Sequence, residues 1–416
     1  MIAAIAAGTS HLGNYSTSAD CAATLSCLEK LGVRIERNDD EVIIHGVGLN
    51  GFNAPDSDLD CGNSGTTMRL LSGVLASQNF VSTLTGDESL RSRPMQRIIE
   101  PLEMMGAQIR SLNGRAPLRV KGRASLQAID YELLTASAQV KSCILLAGLA
   151  AEGKTTVVEN EITRDHTERM LQWFGADVEA GKPEREPETA RFAAVTGPAQ
   201  LAARDISVPG DISSAAYFIA AAALLKDSFL EIEEIGLNPT RTAFLEVFAA
   251  MNFIELHNVR EHANEPSGSV QISGIADYPL MRELDSPMVI DGSDIAQFID
   301  ELPLLAVVGS QFAHGLEIRN AKELRVKESD RIAATVAGLR AMGCDVEEFD
   351  DGLAMKGSTK LRGAQIDSRG DHRIAMSFAI AGLIAEGETE IVGSECVAVS
   401  FPEFFDLLES VSEARP

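Results

Sequence analysis

The chain has 416 residues, ample for two globular domains, and 45% of them are apolar, enough to bury a sizeable core. A formal net charge of −25 excludes a general nucleic-acid surface, which needs a basic face, and works against long-range attraction of anions. An anionic ligand therefore needs a local cluster of Arg and Lys.

Aromatic residues make up only 5% and Trp173 is the one tryptophan, so Ala, Leu, Ile, Val and Met must build the core. None of the six cysteines forms a C-x-x-C pair, and the seven histidines are scattered. That pattern predicts reduced, mostly buried thiols, a cytoplasmic home and no zinc site. No apolar run reaches the roughly 20 residues of a membrane span. The start lacks the basic n-region of a signal peptide and reads as the end of an interrupted helix.

In chain order, the first informative element is Leu-Glu-Lys-Leu-Gly-Val at 28–33, an apolar helix end, a glycine and a short apolar strand. The phrase returns at 102–107, 171–176 and 339–344, and more weakly at 248–253, where Asn252 replaces the glycine. A left-handed cap residue stops each helix and turns the chain into a strand, such as 33–36 or 345–347. Any α/β protein contains such junctions. Five copies, roughly 70 to 90 residues apart, exceed the period of a solenoid and imply repeated αβ subdomains. A final helix at 402–410 closes a sixth copy.

Between these junctions lie candidate sites. Residues 60–69 form a small polar turn running into a helix predicted over 68–76, with Gly65 leaving the backbone open to a ligand. Residues 86–95 read as a loop in which Arg91 and Arg93 flank Ser92, before a helix begun by Pro94. Ser137, Ala138 and Gln139 place a hydroxyl and an amide at the start of an apolar helix running to 151. Residues 181–188 are charged and read as a surface hairpin or loop. Asp211 opens a second apolar helix, to 225. Residues 323–331 are dense in charge, with Lys327 and Arg331 sharing a face at i, i+4 and Glu328 adjacent. Asp371-His372-Arg373 opens a third apolar helix, to 385, and an Arg on a buried element needs an anionic partner, either a ligand or, as the plain alternative, Asp371 in a structural ion pair. Singly, each also reads as a capped or ion-paired helix start or, at 86–95, as a solvated surface loop.

Taken in order, Gly62-Asn63-Ser64-Gly65-Thr66, Arg93-Pro94-Met95, Ser137-Ala138-Gln139, Arg164-Asp165-His166-Thr167-Glu168, Lys327-Glu328-Ser329-Asp330-Arg331, Asp371-His372-Arg373 and Phe401-Pro402-Glu403 closely resemble the EPSP synthase family. The resemblance runs from Ala3 to Leu408. It implies an α/β (α+β) fold of two similar domains, 1–209 and 210–416, each of three βαβαββ units around a pseudo-threefold axis. Helix starts from both halves are then expected to face an interdomain cleft. The implied reaction moves the enolpyruvyl group of phosphoenolpyruvate to the 5-hydroxyl of shikimate 3-phosphate, through a tetrahedral ketal, with release of phosphate. Neither a metal nor an organic cofactor is implied, and the expected state is a monomer without nucleic-acid or membrane partners.

Carried over by motif, Ser137, Ala138, Gln139, Arg164 and Lys327 hold shikimate phosphate, and Gly65, Arg93, Gln139, Arg331 and Arg373 hold phosphoenolpyruvate. Asp300 matches the carboxylate that activates and binds the hydroxyl, Glu328 serves proton transfer at the methylene carbon, and Lys327 completes the catalytic set. The family usually opens with a Lys-Ser-x-Ser-x-Arg motif that binds both substrates, and nothing like it precedes residues 1–10, which match the helix that follows it. The expectation is that about 30 upstream residues belong to the gene product. The chain as given should then lack one strand and two crossover contacts, which puts its activity in doubt. Two alternatives are a sister transferase acting on a UDP-amino sugar, which usually carries a cysteine in the loop matching 90–95, and a degenerate binding protein. This loop has no cysteine, and the retained Asp300, Lys327, Glu328, Arg331 and Arg373 argue against decay.

Overall fold

A computed structural model describes residues 1–38, 40–184, 187, 189–249, 254–274, 285–292 and 295–412. The chain divides into two compact units, Met1–Val208 with Glu261–Glu265, and Pro209–Arg260 with Pro266–Pro416. This differs from a division after 209 by one residue and by the 261–265 segment.

The repeated helix end has a repeated physical cause. Helices Ala19–Lys30, Gln96–Met104, His166–Trp173 and Arg331–Ala341 are followed by Gly32, Gly106, Gly175 and Gly343, with φ of 89°, 108°, 93° and 96°. Only glycine adopts this left-handed geometry without steric cost. Each turn then closes the same way. The amide after the glycine donates to a carbonyl five residues back, from Val33 to Leu28 (3.1 Å), Ala107 to Leu102 (3.0 Å), Ala176 to Leu171 (2.9 Å) and Cys344 to Leu339 (2.9 Å). The weak copy at 248–253 lies partly outside the described residues; its helix spans Ala243–Ala249.

The sheets repeat too. In the first unit, Leu59–Asp60, Val81–Thr85, Arg115–Lys121 and Gln108–Leu112 neighbour one another in that order. The central strand Val81–Thr85 pairs parallel with the short first strand and antiparallel with the next. The same order recurs around Ala7–Gly13, around Ala151–Glu159 and, in the second unit, around Leu316–Ile318. Two smaller sheets, Phe229–Gly236 with its neighbours and Gln365–Asp367 with Glu390–Val392, bring each unit to three among the described residues.

Apolar helices fill the centre of each unit. Helix Ile212–Leu224 is buried at every position but Ser214, and the start-to-end reading of Ala138–Gly148, Ile212–Leu224 and His372–Ile384 matches the predicted spans closely. In the first unit, Gly65–Leu75 and Ala138–Gly148 come so close that a Cβ on Gly73 would lie 2.2 Å from the Cys143 carbonyl oxygen. Four of the six cysteines are buried and all are free thiols. Among the described residues, no helix is long and apolar enough to cross a membrane.

Some local expectations change. Residues 1–10 are not one helix: Ile2–Ile5 is helical, but Ala7–Gly13 is a strand whose ladder with Glu41–Val47 overrides the local pattern. Helix Gly65–Leu75 starts three residues earlier than predicted, because Ser64 caps it by accepting from the Thr67 amide at 3.2 Å. The predicted loop at 86–95 contains a short helix, Glu88–Ser92, capped by Asp87, and the next helix begins at Gln96 rather than Pro94. Strands Val178–Gly181 and Arg191–Gly197 pair antiparallel, so 181–188 joins a hairpin, although Arg185, Glu186 and Glu188 lie outside the described residues.

Candidate active site

The first unit carries one cluster at the start of helix Gly65–Leu75. Arg93 is 6% exposed, and its Nη2 donates to the Asn63 side-chain oxygen at 2.5 Å. Asn63 in turn donates to Asp87 at 2.6 Å. One turn into the helix, Arg69 donates to the Gln139 side-chain oxygen at 2.5 Å, and Gln139 donates to the Thr66 hydroxyl at 2.8 Å. A Cβ on Gly65 would sit 2.8 Å from Arg69 Nη1 and 3.3 Å from Arg93 Nη1. Two guanidinium groups and a helix start thus converge at a residue with no side chain, an arrangement suited to a phosphate or carboxylate. Arg69 had no role in the sequence reading. Its signal was available: an Arg one turn into an otherwise apolar helix needs a polar partner.

Ser137 caps helix Ala138–Gly148 by accepting from the Val140 amide at 3.4 Å, and Ala138 and Gln139 form its half-buried first turn. Arg164 stands half-buried just before helix His166–Trp173.

The second unit carries a denser cluster, centred on Asp300. Its carboxylate lies 3.8 Å from Lys327 Nζ, 3.4 Å from Arg331 Nη1 and 3.9 Å from Arg373 Nη2. Arg331 is 2% exposed and meets Glu328 at 2.5 Å and the fully buried Asp371 at 2.9 Å. Burial alone would lower the affinity of Arg331 for its proton, but Asp371, Glu328 and Asp300 outweigh it, so the guanidinium holds its proton more tightly than usual. Arg373 behaves the same way: against burial, Tyr217, Asp300, Glu301 and Asp211 hold its charge.

The structure corrects two local readings here. Lys327 and Arg331 do not share a helix face, because Lys322–Val326 is a 3-10 turn and the helix starts at Arg331, capped by Asp330. They converge through Asp300 instead. Asp371 does not ion-pair with Arg373. It pairs with Arg331 and accepts from the Arg373 amide at 2.9 Å as a helix cap, while the Arg373 guanidinium reaches Glu301 at 3.4 Å and the Asp300 carbonyl at 3.3 Å. Glu301 was missed as a site-forming group. Glu301 is 4% exposed and accepts from the Ser213 hydroxyl, a contact across the fold that no local pattern displays. Burial, with Arg373 and Arg331 adding to it, pushes the His372 imidazole down to about 4.

This array interleaves Lys327, Arg331 and Arg373 with Asp300, Glu301, Glu328 and Asp371, so cationic hydrogen-bond donors suited to an anionic ligand stand beside carboxylates that can exchange a proton with a hydroxyl or a carbon. Among the described residues, no group of three His, Cys, Asp or Glu side chains is placed to hold a metal ion.

Known proteins resemble this chain over nearly its whole length. The profile of the family described as EPSP synthase (3-phosphoshikimate 1-carboxyvinyltransferase) matches residues 1–408. A relative from Koribacter versatilis, named 3-phosphoshikimate 1-carboxyvinyltransferase, is 51% identical over 99% of this chain and 93% of its own length. One of the same name from Solibacter usitatus is 48% identical over the same shares. The solved EPSP synthase of Acinetobacter baumannii superposes with a TM-score of 0.82 at 42% identity, over 99% of this chain and 92% of that one. The enolpyruvyl transferase NikO of Streptomyces tendae shares the fold, with a TM-score of 0.75 at 19% identity, over 99% and 90%. On its length-wide match and its identity to these relatives, the chain belongs to the EPSP synthase (3-phosphoshikimate 1-carboxyvinyltransferase) family.

Proposed function

We propose that this chain transfers the enolpyruvyl group of phosphoenolpyruvate to the 5-hydroxyl of shikimate 3-phosphate, giving 5-enolpyruvylshikimate 3-phosphate and phosphate in the shikimate pathway to aromatic amino acids. Family membership supports the reaction. The observation that carries it at the level of residues is the convergence of Lys327, Arg331 and Arg373 on Asp300, with Glu328 bound to Arg331.

In this reading Asp300 binds the 5-hydroxyl and takes its proton as the oxygen adds to the central carbon of phosphoenolpyruvate. Glu328 delivers a proton to the methylene carbon, and the addition yields the tetrahedral ketal. Removal of a proton from the new methyl group and departure of phosphate restore the double bond. Arg331 and Arg373, with Gly65, Arg93 and Gln139, hold phosphoenolpyruvate. Ser137, Ala138, Gln139 and Arg164 hold shikimate phosphate, with Lys327 contacting it as part of the catalytic set. Differential contacts to the charge that builds up in the ketal lower the barrier more than tight binding of either substrate would. The protein works as a cytoplasmic monomer on small molecules.

The test is phosphate release from phosphoenolpyruvate by the 416-residue chain, with and without shikimate 3-phosphate. Release that depends on shikimate 3-phosphate is expected. No such release, with no calorimetric binding of shikimate 3-phosphate, overturns the reading.

A further inference from the structure

A further charged cluster lies wholly inside the first unit. Lys141, Glu159 and Glu168 are 2%, 3% and 5% exposed. Lys141 Nζ lies 2.9 Å from Glu159 and 2.8 Å from Glu168. Three ionisable groups in a core are costly to bury, and well-packed apolar residues of similar volume often serve stability as well or better. Their placement suggests what they do instead.

Each member reaches a segment that carries a proposed shikimate-phosphate ligand. Lys141 stands one turn into helix Ala138–Gly148, and its own amide donates to the Ser137 carbonyl at 3.1 Å. Glu159 ends strand Ala151–Glu159 and accepts from both the amide (3.3 Å) and the hydroxyl (2.5 Å) of Thr163, the residue before Arg164. Glu168 lies in the first turn of helix His166–Trp173, just past Arg164. A hydrogen bond of 2.7 Å between Ser142 and Thr167 ties the same two helix starts together. The triad's side chains therefore tie helix Ala138–Gly148, one turn past Ser137, to Thr163 just before Arg164 and to helix His166–Trp173 just after it. Burial raises the affinity of Glu168 for its proton, against the pull of Lys141, which tempers the excess of negative charge.

We propose that Lys141, Glu159 and Glu168 are positioning residues that hold the Arg164 loop in register with Ser137, Ala138 and Gln139, and so set the affinity for shikimate 3-phosphate. The proposal rests on the functional reading above. A role in folding alone would weaken both substrates together or neither. A positioning role separates them.

The experiment measures shikimate 3-phosphate binding by calorimetry, and KM for each substrate, in the wild type, Lys141→Met, Lys141→Arg and Glu159→Gln. Lys141→Met is expected to weaken shikimate 3-phosphate about tenfold or more while the KM for phosphoenolpyruvate stays within about twofold, and Lys141→Arg to recover most of the loss. Glu159→Gln keeps the shape of the site and carries the same expectation if Lys141→Met does not fold. Shikimate 3-phosphate affinity within about twofold of wild type in the folded variants, or equal loss for both substrates, overturns the proposal. A wild type that binds no shikimate 3-phosphate overturns the functional reading itself, and the proposal with it.

Discussion

At the scale of single residues, Gly65 and Arg331 show opposite demands. Gly65 must stay small: its Cβ would press on Arg69 and Arg93 at 2.8 and 3.3 Å. Overpacking of this kind costs about 1–3 kcal/mol. Gly65→Ala is therefore expected to raise the KM for phosphoenolpyruvate about tenfold with little change in that for shikimate 3-phosphate, read by steady-state kinetics. Arg331 must stay charged, because among the described residues it is the cation paired with Asp371, which has no exposure. Arg331→Met is expected to cost about 3–5 kcal/mol in urea unfolding, and Arg331→Met with Asp371→Asn to recover part of that loss. His372 supplies a pH dependence. Its folded pKa of about 4 lies below the ordinary 6.5, so the unfolded chain binds the proton first on acidification. The stability is present above about 6.5 and is lost as pH falls toward about 4, by roughly 3 kcal/mol in total. His372→Gln should flatten that part of the curve of stability against pH.

At the scale of elements, the repeated helix stop is the feature most fully explained. Four glycines with φ between 89° and 108° close four matching turns. Gly343 isolates the backbone contribution, since no atom lies within 4 Å of its ideal Cβ. Gly343→Ala is expected to lower stability by about 1 kcal/mol through left-handed strain alone, and Gly343→Asn by less, measured by urea unfolding. The elements around the candidate site depend on caps in the same way: Ser64, Ser137, Asp330 and Asp371 each accept a backbone amide at a helix start and so set where the adjoining Gly65, Gln139, Arg331 and Arg373 begin.

At the scale of the whole molecule, each unit has its own hydrophobic core. One gathers side chains from Ile2 to Leu201, the other from Ile212 to Leu408. Chains built on separate cores depart from single two-state unfolding. Calorimetry is expected to resolve two transitions. Arg331→Met should move the transition of the second unit and leave the other in place, and a single transition that shifts as a whole would refute this. The acidic balance of −25 sets a second constraint at this scale. Anion binding has to come from local clusters, and the structure places Arg69 with Arg93, and Lys327 with Arg331 and Arg373, in just such groups.

The sequence by itself determined the repeat, the three apolar helices and their caps, and the motifs that mark the family. These depend on interactions within a few residues: a glycine after a helix end, an Asp or Ser before an apolar run, a composition short of aromatics. It also placed Asp300, Lys327, Glu328, Arg331 and Arg373 on one list without showing how they meet. Only the tertiary structure decided that Lys327 reaches Arg331 through Asp300 and not along a helix, that Asp371 serves Arg331, and that residues 7–13 form a strand. It alone brought Arg69 to Gln139, seventy positions apart, and Lys141 to Glu159 and Glu168. The reason is physical: a buried charge is satisfied by whichever partner the packing of distant elements delivers, and that choice leaves no periodic trace in the chain.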